Sequence, residues 1–378
     1  PLLVEVNMLA YREVSPSELR KVAVTLYNGG ERPLTAMFAN DERDVNGGIA
    51  IYCLFANGGE APVTGLTCLI TGEPWEYPSL AVSIPAASWY EREINDLFGL
   101  VPIGHPDLRP LVLHENWPKG LYPFRKDFDS LQQVAEASTE YPVPGVEGQG
   151  VFEVPVGPIH AGIIEPGHFR FSQAGENIIN LEAKLFFTHR GIEKAVEGLS
   201  VAKAFYQAER ICGACTVSHA LAFSQAVEGI GGVTAPARAE SIRVLVAELE
   251  RLYNHVGDIG NLCAGVGFAV GISHGARLKE QLMRLNERVT GNRFLRGMVV
   301  PGGVAMDITP DLAQDIARVL HDVEDDFKEL LEILQENSAF LDRVNTTGIL
   351  PTQAAVDLGV VGVAARASGV NTDWRRDM

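Results

Sequence analysis

Between residues 126 and 150 this chain abandons every sustained apolar period: acidic, glutamine, serine, proline and glycine residues dominate there. A stretch of that kind has no face to bury and reads as a linker. Whatever the chain folds into must therefore be assembled from pieces on either side of it. At 378 residues there is enough length for two domains and a large core. Residues 1–125 carry short strand-like apolar runs, and residues 151–378 carry mostly three-to-four spacing. The expected fold class is an α+β N-terminal domain followed by a mainly α-helical domain.

In the first part, Ser15-Pro16-Ser17-Glu18 places serine at an N-cap, proline at the first helical position and glutamate at N3. The helix it opens should close at Gly29-Gly30. Strand-like runs follow at 34–39, 48–56 and 65–71, with Asn57-Gly58-Gly59 as a hairpin turn between the last two. Another β-rich stretch, 80–84, leads into Ser88-Trp89-Tyr90-Glu91, a second capping box whose helix Gly99 should end. Cys53 and Cys68 fall inside these apolar runs and read as core, because a buried free cysteine behaves as a small hydrophobe. Beyond the linker, 151–170 looks extended. Helices are expected over 181–199, 217–228, 238–256, 276–289 and 310–341, the last opened by Thr309-Pro310.

Composition narrows the partners. A net charge of −17 argues against nucleic acid, whose phosphates need a basic surface. The longest apolar run, near 262–272, is too short and too glycine-rich to span a bilayer, so no direct membrane span is expected. The N-terminus has no signal-peptide pattern. Five cysteines, an odd number in a long chain, do not form a secreted disulfide framework. A reducing cytoplasm is the expected compartment, with docking on a membrane through partners.

The chemistry concentrates in Glu209-Arg210-Ile211-Cys212-Gly213-Ala214-Cys215-Thr216-Val217-Ser218-His219. Two thiols three residues apart can grip one soft metal centre, and a histidine four residues on can reach the second sulfur. It is half a site, since no second such pair follows before Met378. A bare pair of this spacing also suits half a zinc site or a thiol–disulfide couple. Zinc wants a second pair or histidines at set spacing. A thioredoxin-type pair wants a strand-to-helix context in an α/β domain, whereas this one introduces a helix in a helical part.

The flanks carry a family resemblance. Glu91-Arg92-Glu93-Ile94-Asn95-Asp96-Leu97-Phe98-Gly99, Gly104-His105-Pro106-Asp107-Leu108-Arg109 and Pro123-Phe124-Arg125-Lys126-Asp127 resemble the 30-kDa subunit of respiratory complex I. His189-Arg190-Gly191-Ile192-Glu193-Lys194, the 212–219 stretch and 243–267 resemble the 49-kDa subunit, itself a relative of the nickel–iron hydrogenase large subunit. Fused in one chain, the two resemble the large subunit of group 4 membrane-bound hydrogenases, as in formate hydrogenlyase. The resemblance runs through nearly the whole chain, including 293–303 and 365–369. Hydrogenases keep Arg-x-Cys-Gly-x-Cys-x-x-x-His, which complex I subunits generally lack, and Arg210 to His219 match it in full. The implied division is 1–125 as the 30-kDa-like domain, 126–150 as linker, and 151–378 as the hydrogenase/49-kDa-like domain.

By that resemblance Cys212 is a terminal nickel ligand and Cys215 a thiolate bridging nickel and iron, with CO and cyanide on the iron. His219 hydrogen-bonds the bridging sulfur. Glu165, in Ile164-Glu165-Pro166-Gly167-His168, sits one residue out of step with the family's glutamate ahead of a Gly-His step. It is the candidate acid–base group for the proton that heterolytic cleavage of hydrogen leaves behind, against the plainer alternative of a solvated turn glutamate. His160 and His168 resemble histidines lining the quinone cavity of complex I, or serve as structural hydrogen-bonders. Arg190 is implied near a cluster-facing interface, although charges spaced as 189–194 are ordinarily a solvated face. Arg251, His255 and Asp258 share a helix face and form a polar network, a proton route or structural pairs. Cys263 reads as core.

The family's second Cys-x-x-Cys lies near the end of its chain. The resemblance therefore implies that this chain is truncated at its C-terminus and not catalytically competent alone. Implied partners are an iron–sulfur small subunit like the complex I 20-kDa subunit, a ferredoxin-like iron–sulfur subunit and membrane subunits like ion pumps. Their iron–sulfur clusters would carry the electrons, since beyond Cys212 and Cys215 this chain has three cysteines, too few for a four-thiolate cluster of its own. The implied place is the inner face of the cytoplasmic membrane, peripherally. The alternatives are a complex I-like NADH/quinone oxidoreductase subunit with no bound metal, and a non-catalytic assembly scaffold.

Overall fold

A computed structural model describes residues 5–6, 9–29, 33–56, 63–159 and 165–373. The chain forms two compact units, one built from residues 1–160, 165–190 and 348–378, the other from 161–164 and 191–347.

In the first unit, β1 (Glu5–Val6), β2 (Leu9–Glu13), β3 (Leu34–Glu42), β4 (Gly48–Ala56) and β5 (Val63–Ile70) make a sheet of order β1-β2-β5-β4-β3. β2 and β5 are parallel and the other neighbours antiparallel. The three strands expected around residues 34–71 are all present; the Asn57-Gly58-Gly59 turn lies outside the described residues. Helix α1 (Pro16–Asn28) starts as its capping box dictates, with the Ser15 amide donating to the Glu18 carboxylate at 3.2 Å, and Gly29 follows its last residue. A one-turn helix, α2 (Arg43–Asn46), joins β3 to β4. β6 (Glu76–Pro78) and β7 (Val101–Ile103) form a parallel pair with α3 (Ala87–Phe98) between them in sequence. Leu19 and Ala23 of α1, Ile49, Ile51 and Phe55 of β4, and Ile94 and Leu97 of α3 form one core. Cys53 and Cys68 are buried within it, and burial pushes the Cys68 thiol up to about 12.

Two local expectations fail here for one reason. Residues 80–84 form a turn, in which the Ile84 amide donates to the Leu80 carbonyl at 2.8 Å, and the strand is Glu76–Pro78 instead. Ser88 is not an N-cap: α3 begins at Ala87, and the Ser88 hydroxyl lies 3.3 Å from His105 Nε2. The Glu91 carboxylate that a capping box would use is fully buried and accepts from Ser79 Oγ and the Leu80 amide, both at 2.6 Å. The amides of the turn claim it first. Gly99 does end α3, at φ +73°, where an added Cβ would lie 2.4 Å from the Tyr122 ring.

β8 (Val151–Val156), β9 (His168–Ala174) and β10 (Asn177–Lys184) form a three-stranded antiparallel sheet of order β10-β9-β8. The helix expected over 181–199 is therefore replaced at its start by β10, which pairs Leu181 with Phe171 and Ala183 with Phe169. Arg109 reaches Glu182 at 3.0 Å, and Lys184 pairs with Glu115. Alternate residues of β10 thus meet charged partners, and the ladder overrides local helix propensity.

The second unit is helical: α4 (Ile192–Val196), α5 (Val201–Ala208), α6 (Thr216–Gly231), α7 (Ala237–Gly265), α8 (Ala269–Thr290), α9 (Pro310–Glu336) and α10 (Ser338–Val344). A short antiparallel pair, β11 (Val299–Val300) and β12 (Gly303–Val304), precedes α9. Thr309 caps α9 by accepting from the Leu312 amide at 3.3 Å. The helix expected over 310–341 breaks at Asn337, whose side chain accepts from the Phe340 amide at 2.8 Å and so starts α10. Val217 and Ala220 of α6, Ile242, Val246 and Leu249 of α7, Leu285 and Val289 of α8 and Ile316 of α9 form one core cluster. Tyr253, Val256, Cys263, Leu278, Leu282 and Leu330 contribute to a second. α7 and α8 pack backbone to backbone, because a Cβ on Gly275 would lie 2.5 Å from Gly260 Cα. Buried Arg243 pairs with Glu228 at 2.5 Å and donates to the Val300 and Gly303 carbonyls, pinning α6, α7 and the β11–β12 hairpin together.

Two short helices, α11 (Thr352–Asp357) and α12 (Gly362–Ala367), belong to the first unit. Among the described residues no helix is long and apolar enough to cross a membrane.

Candidate functional site

Cys212 and Cys215 lie on the turn between α5 and α6, both half-buried, while Cys53, Cys68 and Cys263 are buried. Cys215 occupies the N-cap position of α6 without making a side-chain cap. The amide of Ala214 points back at Cys212 Sγ, 3.4 Å away. His219 follows one helical turn after Cys215, half-buried, with its amide donating to the Cys215 carbonyl at 3.3 Å. An i, i+4 pair shares a helix face, so the turn and the first turn of α6 carry both sulfurs and this imidazole.

What holds the turn comes from elsewhere in the unit. The first amides of any helix lack intrahelical acceptors. Here the buried Glu250 carboxylate of α7 accepts from Val217 N at 2.5 Å, Ser218 N at 3.0 Å and Ser218 Oγ at 2.6 Å. One turn on, Tyr253 Oη and Asn254 Nδ2 both donate to the Ala214 carbonyl, at 2.6 and 2.8 Å. On the other arm, buried Glu209 accepts from the Gly297 amide at 2.5 Å. Burial, and then the neighbouring Glu250 carboxylate, push the Tyr253 phenol up, so it stays a donor at neutral pH.

Two sulfurs on one turn suit a soft transition metal in kind and supply two donors. Among the described residues no group of three or more His, Cys, Asp or Glu converges as a complete metal site. The pair therefore fits part of a thiolate-held centre. It does not build one alone.

Glu165 belongs to the first unit, exposed just ahead of β9, and accepts from Thr188 Oγ1 at 2.6 Å. The sequence-predicted residues thus fall into two groups, Cys212, Cys215 and His219 in one unit and Glu165 in the other. His168 starts β9 and donates through Nδ1 to the Gly157 carbonyl at 3.2 Å. His160 lies outside the described residues. Arg190 is exposed between β10 and α4, in a loop and not on the expected helix. Arg251 pairs with Glu248 and is partly exposed, and Asp258 is exposed, so the face through 251, 255 and 258 is not the buried one. The buried face carries Glu250 and Tyr253. Tyr253, Asn254 and Gly297 are supporting residues that motif reading missed. The available signal was an acid, Glu250, in register with the apolar stripe Val246, Leu249 and Tyr253: a buried carboxylate needs donors.

Three family models match successive parts of the chain. Residues 12–134 match the family model for the respiratory-chain NADH dehydrogenase 30-kDa subunit, 190–264 the model for nickel-dependent hydrogenase, and 265–378 that for the 49-kDa subunit. The chain is 35% identical to hydrogenase-4 component G of Escherichia coli (strain K12), covering 90% of this chain and 62% of the relative. It is 34% identical to formate hydrogenlyase subunit 5 of the same organism, covering 96% of this chain and 65% of the relative. The chain thus spans less than two thirds of either relative's length. Among solved structures it is similar to a chain of the membrane-bound sulfane sulfur reductase, an archaeal respiratory membrane complex. That likeness has a TM-score of 0.57 and 28% identity, over 60% of this chain and 61% of the other. With the Arg210–His219 motif inside the hydrogenase match, the chain is similar in turn to the complex I 30-kDa subunit, the nickel-dependent hydrogenase and the complex I 49-kDa subunit families.

Proposed function

We propose that this chain is part of the large subunit of a membrane-associated nickel–iron hydrogenase, carrying out 2H⁺ + 2e⁻ ⇌ H₂. The observation that carries this is the half-buried Cys212–Cys215 pair on a turn held by buried groups, inside the segment that matches the nickel-dependent hydrogenase model. Cys212 and Cys215 supply two thiolates to a nickel–iron centre whose remaining ligands, CO and cyanide on the iron among them, come from outside the described residues. The bound metals supply the redox change between protons and hydrogen. His219, one helical turn after Cys215 on α6, would donate to the Cys215 sulfur. Glu165 exchanges the proton as acid–base group. Electrons pass through iron–sulfur clusters of a small-subunit partner and a ferredoxin-like subunit, and membrane subunits like ion pumps anchor the assembly at the inner face of the cytoplasmic membrane.

The test is hydrogen-dependent reduction of a viologen dye by the purified complex. Cys215→Ser should abolish it. Glu165→Gln should lower it by roughly 10²-fold or more while nickel content stays unchanged. Full activity in Cys215→Ser overturns the assignment of the pair, and full activity in Glu165→Gln removes the glutamate from it. The matches over 12–134 and 265–378 favour a second reading, a complex I-like quinone module without metal. In that case the same preparation reduces a quinone analogue, holds no nickel and tolerates Cys215→Ser.

A further inference from the structure

Three anchors converge on the cysteine turn, and none of them involves a metal. The Glu250 carboxylate takes the Val217 and Ser218 amides in the first turn of α6 together with the Ser218 hydroxyl. Tyr253 and Asn254 take the carbonyl of Ala214, the residue between Gly213 and Cys215. Glu209 ties the preceding arm to Gly297. Glu250, Tyr253 and Asn254 stand at i, i+3 and i+4 on α7, so one helix face presents an acceptor to the amide side of the turn and two donors to its carbonyl side. Cys215 is the N-cap residue, but the cap is made by Glu250 from another helix. Cys215 Sγ itself makes no cap on α6.

We propose that Glu250, seconded by Tyr253 and Asn254, is the positioning residue for the Cys212–Cys215 turn, holding it in its donor arrangement before any metal arrives. The carboxylate is suited to this role because it accepts at both oxygens and its bonds are charge-assisted. An amide in its place would turn an NH₂ group towards backbone N–H donors. The role in metal capture rests on the hydrogenase reading; the clamp itself does not. A turn held this way loses little freedom on binding metal, which is how supporting shells raise affinity.

The experiment compares Glu250→Gln, Glu250→Asp and Tyr253→Phe with wild type in the full chain within its complex. Two readouts are taken. Amide hydrogen exchange of metal-depleted samples is followed for peptides covering 210–220, with peptides from α8 as the reference for global folding. Nickel per chain and the nickel-edge X-ray absorption signal of the Ni–S shell are measured on loaded samples. Expected is at least tenfold faster exchange at Val217 and Ser218 in Glu250→Gln with α8 unchanged, and partial rescue in Glu250→Asp, which keeps the charge. Tyr253→Phe, which removes one hydroxyl, should loosen the turn less. Nickel retained should fall by 10–100-fold in affinity for Glu250→Gln, with a disordered Ni–S shell in what remains. Unchanged exchange in every variant overturns the clamp, even if nickel is present. If Glu250→Gln fails to fold, unchanged exchange at 210–220 in both Tyr253→Phe and Glu250→Asp does the same. Faster exchange in a complex whose wild type holds no nickel leaves the clamp standing and removes the hydrogenase reading.

Discussion

Arg243 shows how much a single buried residue carries in this molecule. Its guanidinium is 1% exposed and meets Glu228, Glu240 and two carbonyls of the β11–β12 hairpin. Arg243→Ala would leave the Glu228 carboxylate buried without its partner, a change that costs about 3–5 kcal/mol; urea unfolding followed by circular dichroism reads it. The bond from Arg243 holds the Glu228 carboxyl below the usual carboxylate range, with the Gly302 amide assisting and burial opposing. The unfolded chain therefore binds this proton more readily than the folded one. Its contribution to stability is complete above the ordinary value of 4.5 and is lost as pH falls through the depressed folded value. Glu228→Gln should accordingly flatten the acid limb of the stability–pH curve below about pH 4.5 while lowering stability at neutral pH. The cysteines sort by burial in the same way. Iodoacetamide under native, metal-depleted conditions should label Cys212 and Cys215 and leave Cys53, Cys68 and Cys263 unmodified, as peptide mass spectrometry would read.

At the scale of elements, the α7–α8 contact depends on having no side chain where the helices touch. Gly275→Ala forces a methyl to 2.5 Å from the Gly260 backbone and should destabilise by roughly 1–3 kcal/mol in thermal unfolding. Gly229→Ala on α6, where nothing lies within 4 Å, should be neutral or mildly stabilising. Elements whose ends are written in local chemistry were legible from sequence: the Ser15 capping box, Thr309-Pro310 opening α9 and Gly99 ending α3 all stand where local chemistry places them. Elements decided by distant partners were not. β10 has enough apolar residues near three-to-four spacing to read as helix, and its pairing with β9 and the Arg109–Glu182 bond decide otherwise. Ser88 and Glu91 have the spacing of a cap, but the 79–81 turn takes the carboxylate. The cysteine turn divides likewise. Its sulfurs were legible because spacing encodes them; its clamp was not, because Glu250, Tyr253 and Asn254 arrive from 35 to 39 residues beyond Cys215 and are recognised only once α6 and α7 are packed.

Over the whole molecule, sequence order and spatial grouping diverge: residues 165–190 and 348–378 belong with the N-terminal sheet, while 191–347 fold as a separate helical unit. The family models divide the chain by ancestry, at 12–134, 190–264 and 265–378, and the helical unit contains the whole cysteine turn with every residue that supports it. Nickel content is the quantity on which the proposed function turns. The measurement is metal analysis of the native complex containing this chain, wild type beside Cys212→Ser and Cys215→Ser, with complex assembly checked by subunit stoichiometry. About one nickel per chain in wild type, as one thiolate-held site requires, and loss of nickel from both assembled variants, is the result expected. An intact wild-type complex without nickel, or variants that retain it in full, would contradict the assignment of Cys212 and Cys215 as ligands of a nickel–iron centre.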